Sequence, residues 1–152
     1  MYYLSYMLHI AGIAIWLGSF LALGYLLKSL VKDERKLADF APVIKRIQKW
    51  VMMGVLPSLV LILLSGVYMI LQFSRDSMPL YLTIMEQGGT IIILLTIILV
   101  SMYSVRLTKK LQGIPLKKEK TLVELTNVYS NFLLVSTLLG IGIIIVVGLR
   151  LV

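Results

Sequence analysis

The sequence predicts an all-α integral membrane protein: a four-helix bundle with both termini outside and long basic loops in the cytoplasm. Three observations predict it. Hydrophobic residues make up 59% of the 152 residues and charged residues 14%, against about 45–50% and about 25% in a typical soluble domain. Four stretches, 1–27, 50–74, 87–105 and 125–149, carry no charge. Each approaches or exceeds the ~20 residues that a helix needs to cross a bilayer. Thirteen of the fifteen Lys and Arg residues fall in two segments, 28–49 and 106–124, and the positive-inside rule puts such segments in the cytoplasm.

These features exclude a soluble enzyme, a secreted disulfide scaffold and a disordered chain. They also argue against a membrane β-barrel, because its strands alternate apolar and polar residues. The net charge of +8 does not mark a nucleic-acid partner, since the basic residues flank the apolar runs. The chain has no cysteine, which removes disulfides, thiolate metal sites and covalent c-type haem attachment.

The first span is expected over about residues 2–27, ending at Lys28. It lacks the basic start and small-residue cleavage site of a signal peptide. Pro42 is expected to open a short helix with Val43, Ile44, Ile47 and Trp50 on one face, a cytoplasmic extension of the second span along the headgroups. That second span covers about residues 50–73, and Pro57 should kink it. Asp76 or Ser77 is the expected N-cap of the third span, with Pro79 in its first turn. The third span then covers about residues 79–106 and encloses Glu86. Gly113 and Pro115 end its helix and start a turn. The fourth span covers about residues 125–149. One transmembrane domain accounts for the whole of residues 1–152.

Little hydrophobic force holds helices together in lipid, so small and polar residues guide their association. Ser5, Gly12 and Ser19 recur at a spacing of seven on the first span, and His9 and Trp16 share that stripe. The second span offers Gly54, Ser58, Ser65 and Gly66, and the fourth offers Ser136 and Gly140.

An ionisable residue inside a span is costly and points to function. His9, the sole histidine, and Glu86 are the two such residues. Each lies seven residues into its span, about 10 Å deep at ~1.5 Å per residue. Spans one and three run in the same direction and sit diagonally in an up-down bundle, so the two groups should meet at one depth across the core. Thr83 and Thr90 share the face of Glu86, and Tyr6, Trp16, Ser65 and Met69 complete an expected polar pocket open to the outer side. Met7, Met69 and Met85 lie near the same side, and thioethers with an imidazole suit Cu(I).

The run Leu8-His9-Ile10-Ala11-Gly12-Ile13-Ala14-Ile15-Trp16-Leu17-Gly18 resembles the opening helix of the CopD-type copper-resistance membrane domain and of the related HemJ-type protoporphyrinogen oxidases. Both have a histidine on the first helix, a tryptophan seven residues later and then a glycine. The third span, with its basic end from Arg106 to Lys110, also resembles that superfamily. The likeness covers the whole chain in topology and about a dozen residues in motif. It implies a small helical bundle tied to copper movement or haem chemistry, with His9 at the position of the histidine thought to ligate haem in the HemJ type. One departure is Glu86, where the HemJ type carries a functional lysine. Another is the low His and Met content outside the spans, which is richer in the CopD type.

The function expected from residues and resemblance together is that of a small CopD/HemJ-like protein of the bacterial cytoplasmic membrane. It would bind b-type haem or copper through His9 near the outer face, in a redox or cofactor-handling role. The cofactor set would be His9, Tyr6, Gly12, Trp16, Met69 and Glu86; the metal set would be His9, Met7, Met69, Met85 and Glu86. With one histidine per chain, a six-coordinate haem needs a methionine or His9 of a second copy, which makes a homodimer. The alternatives are a copper transporter, and a structural or partner protein in which His9 and Glu86 only lock the bundle. Partners would be the lipid bilayer and a membrane redox or copper-handling protein, not nucleic acid.

Overall fold

The computed structural model describes residues 2–32, 37–72, 78–115 and 120–149. Among them all regular structure is helical: α1 (Tyr2–Val31), α2 (Ala41–Trp50), a π-helical turn (Val51–Val55), α3 (Leu56–Ile70), α4 (Leu80–Leu111) and α5 (Leu122–Leu149). The second span is one continuous helical rod, Ala41–Ile70, and with α1, α4 and α5 it makes four helices long and apolar enough to cross a membrane.

The helices outrun the apolar runs that announce them. α1 continues to Val31 and α4 to Leu111, because helical hydrogen bonding does not stop where apolar side chains do. α2 runs straight into the second span, as the extension that the sequence suggests. Ile44 and Ile47 are buried as the periodicity requires, whereas Val43 and Trp50 are exposed. The kink expected at Pro57 takes the form of the π turn just before it. Proline lacks an N–H and its ring crowds the carbonyl four residues back, and a π turn relieves that crowding.

The ends are chemically specified. Gly113, at φ 74, takes the left-handed conformation that closes α4. Ile114 N–H donates to Lys109 O at 3.0 Å and Gly113 N–H to Lys110 O at 3.1 Å, a Schellman pair. α5 opens with a capping box: Glu124 N–H donates to Thr121 Oγ1 and Thr121 N–H to Glu124 Oε2, both at 3.1 Å. The N-cap positions expected at Asp76 and Ser77 lie outside the described residues; Pro79 precedes α4.

α1 packs extensively against α3 on one side and α5 on the other. α4 packs against α5 and more sparsely against α3, so α1 and α4 occupy opposite corners. Glycines set the close approaches. A Cβ on Gly12 would lie 2.7 Å from Ile62 Cγ1, and one on Gly24 would lie 2.9 Å from Leu134. Ser130 donates to the Gly24 carbonyl at 2.9 Å. Towards the loop side, Lys28 reaches Asn127 at 2.8 Å, and Gln48 donates to Ser104 O at 2.8 Å.

Candidate functional site

A cavity of about 420 Å³ opens at the end of the bundle that carries both termini, with walls from all four spans. α1 contributes Tyr2, Tyr6, His9 and Trp16; α3 contributes Ile62, Gly66 and Met69. α4 adds Met85, Glu86, Gly89 and Thr90, and α5 adds Gly140, Ile143 and Val147. The walls are mainly apolar, and a few polar groups converge on them, as in small-molecule sites generally.

His9 is the best-defined of those groups. Its Nδ1 lies 3.0 Å from the carbonyl oxygen of Ile62 and 3.1 Å from Ser65 Oγ. A carbonyl only accepts, and the Ser65 hydroxyl already donates to Leu61 O at 2.6 Å. Nδ1 must therefore carry the hydrogen and donate it to α3. In the neutral ring this fixes the Nδ1–H tautomer and leaves the Nε2 lone pair unused by any described residue. Metal-ligating histidines are commonly oriented in this way, with the other ring nitrogen donating to a carbonyl. Gly66 makes room for the ring: a Cβ there would lie 3.2 Å from His9 Cε1.

The floor of the cavity is a second fixed group. Trp16, only 5% exposed, donates its indole N–H to Ser136 Oγ at 3.2 Å, and Ser136 Oγ is 2.8 Å from Thr96 Oγ1. Gly140 faces the indole, and a Cβ there would lie 2.9 Å from Trp16 Cη2. One turn deeper, Phe20, Val100 and Leu133 are fully buried and belong to the hydrophobic core. Beyond them lies a polar cluster, in which Gln48 bonds Ser104 and Thr108. The Tyr129 hydroxyl on that loop side is buried, with no hydrogen-bond partner among the described residues.

The structure brings together most of the residues expected at the site. Tyr6, His9, Trp16, Met69, Met85 and Glu86 all line this cavity. Gly12 does not: it is spent on the α1–α3 contact, one turn from His9. Met7 is 67% exposed on the outer surface of α1 and is not part of the wall. His9 and Glu86 share the cavity from opposite corners of the bundle, but the groups that hold the imidazole are Ile62 O and Ser65 Oγ. Among the described residues no group of three or more His, Asp or Glu side chains is gathered as a metal site. Sequence reasoning missed the Ile62 carbonyl, which has no side-chain signature, and the role of Gly66, for which the Ser65-Gly66 pair was the available signal. No protein-family model, curated protein or solved structure matches the chain.

Proposed function

We propose that this chain is a small multi-pass protein of the bacterial cytoplasmic membrane that holds b-type haem at His9, in a redox or cofactor-handling role. The observation that carries the reading is the Nδ1–H donated to the Ile62 carbonyl, which leaves Nε2 as a lone-pair donor at an apolar cavity. The residues fit the group by donor chemistry: one oriented imidazole, mainly apolar walls, and the thioethers of Met69 and Met85 within the lining. A bound haem would supply one-electron transfer. The chain's own part is to orient the imidazole through Ser65 and Ile62, to exclude water with the apolar walls, and to present Glu86 in the same cavity. A second ligand to the group would come from Met69, Met85 or His9 of a second copy. By the positive-inside rule, the basic loops support a cavity on the outer side of the membrane.

The presence of Met69 and Met85 beside His9 favours a second reading, a copper ion held by imidazole and thioether. Transport of that ion through the bundle is less supported, since Phe20, Val100 and Leu133, one turn inward of the floor, are fully buried apolar side chains. The test is the purified full chain expressed with haem and copper in excess. A Soret band that is lost in His9→Ala, with the helical content retained, supports haem. Stoichiometric copper without a Soret band selects the copper reading. Neither cofactor in the parent protein overturns both, and leaves His9 as an α1 residue that packs against α3.

A further inference from the structure

Of the seams between neighbouring spans, the one between the second span and α4 is the most sparsely packed. An apolar groove runs along it, lined by Met52, Leu56, Pro57, Val60, Leu61 and Ile97, with Pro57, Val60 and Leu61 exposed. Towards the loops the seam closes where Gln48 of α2 bonds Ser104 and Thr108 of α4. The residues flanking these contacts are sorted by chemistry. Ile47 and Leu107, which precede Gln48 and Thr108, are both buried in the core. Lys49 and Lys109, which follow them, are both exposed. In an antiparallel pair of right-handed helices this puts both lysines on the outer side of the one seam. Lys45, one turn before Lys49, is exposed on the same edge.

Depth and charge together select an occupant. The second span has 30 residues and is about 45 Å long, against a hydrocarbon core of ~30 Å. Centred in the bilayer, it enters the hydrocarbon about 7 Å from its loop-side end, which is the level of Lys45. Lys49 lies one turn below, where a lysine reaches the headgroups by extending its stem. From Met52 to Leu61 the groove descends about 14 Å, close to the ~15 Å of hydrocarbon in one leaflet. Lys45, Lys49 and Lys109 have no hydrogen-bond or ion-pair partner among the described residues. The other seams differ at this level. Lys28 bonds Asn127 between α1 and α5, and Trp50 donates to Ser19 between the second span and α1. Between α4 and α5 the rings of Tyr103 and Phe132 meet at 4.9 Å, with the Arg106 guanidinium over Tyr103.

We propose that the seam between the second span and α4 holds one anionic phospholipid of the loop-side leaflet. Lys45, Lys49 and Lys109 present their ammonium groups to its phosphate, and an acyl chain lies in the groove from Met52 to Leu61. Three cations at the membrane surface favour a headgroup with net negative charge over a zwitterionic one. The site is at the other end of the bundle from the His9 cavity and does not depend on what that cavity holds.

The test is native mass spectrometry of the full-length protein in detergent, with dioleoyl phosphatidylglycerol as the anionic probe and dioleoyl phosphatidylcholine as its zwitterionic match. The expected result is one phosphatidylglycerol retained per chain in preference to phosphatidylcholine. Lys49→Gln and Lys109→Gln should each weaken its retention about fivefold, and the pair about 25-fold. Both side chains are exposed, and they stand on different helices, so misfolding of one variant does not leave the site untested. Val60→Trp, which fills the groove, should weaken retention as well. Lys32→Gln removes the same charge from an exposed position at the loop-side end of α1 and should change nothing. Equal losses from Lys32→Gln and Lys49→Gln would overturn the site and leave only diffuse attraction to the net charge. Equal retention of the two lipids would overturn the headgroup assignment. Displacement of phosphatidylglycerol by inorganic phosphate, with no effect of Val60→Trp, would overturn the lipid and make the lysines a site for a soluble anion.

Discussion

Gly140→Ala tests the packing that holds the cavity floor. The added Cβ would lie 2.8 Å from Leu17 Cδ2, 2.9 Å from Trp16 Cη2 and 3.3 Å from Trp16 Cζ3. Ordinary contact begins near 3.4 Å, so each of the two nearest atoms must retreat by about half an ångström. Leu17 can do so by turning the end of its side chain. Trp16 cannot turn freely, because its ring is rigid and its N–H is tied to Ser136. Overpacking of this kind costs about 1–3 kcal/mol, and replacing glycine by alanine within a helix returns about 0.5–1 kcal/mol. The net expectation is a loss of about 0–2.5 kcal/mol. Gly142→Ala, two residues on, is the control: its Cβ meets nothing within 4 Å, so it should gain about 0.5–1 kcal/mol. The assay is reversible unfolding in detergent micelles, with Trp16 emission recorded in the Trp50→Phe background. The two variants should move stability in opposite directions, and only Gly140→Ala should shift the emission. Stabilisation by both, with unchanged emission, would show that α1 and α5 do not meet at this level and would remove the floor from the site.

Three further predictions follow from the same geometry. Ser65→Ala removes one of the two acceptors of the His9 Nδ1–H and leaves the Ile62 carbonyl. Cofactor affinity, read by haem or copper titration, should fall about 10-fold rather than vanish, and no change would show that Ser65 does not orient the ring. Ser136→Ala leaves the buried Trp16 N–H and Thr96 hydroxyl without their shared partner, at a cost of about 1–3 kcal/mol in unfolding; a double-mutant cycle with Thr96→Val should show coupling, and strict additivity would refute the chain of bonds. For sidedness, cysteines at Asp39 and Gln112 should be shielded from an impermeant thiol reagent in whole cells while one at Met78 is labelled. The reverse pattern would turn the cavity to the cytoplasmic side.

The four spans were legible because hydropathy and charge are properties of consecutive residues, and a helix in lipid must satisfy its own backbone. Runs without charge, the stops at Lys28 and Arg106, Pro57 and Gly113 each announce a local event, and the structure places a helix, a helix end or a distortion near each. The stripe of Ser5, His9, Gly12 and Trp16 also identified the inward face of α1 correctly in its main members. What the stripe left open was which neighbour each residue meets. Equal depth suggested Glu86 as the partner of His9, yet the imidazole is held by a backbone carbonyl and a serine on α3. Gly12 leaves the site to pack on Ile62, and Trp16 finds Ser136, 120 residues away. These pairings follow from the register of one helix against another. That register is set by the fit of Gly12 to Ile62, Gly66 to the His9 ring, and Gly140 to Trp16. In lipid no general hydrophobic force fixes such a register, and shape and a few hydrogen bonds decide it. A sequence states where the small residues are; only the folded bundle determines which side chain fills the space they leave.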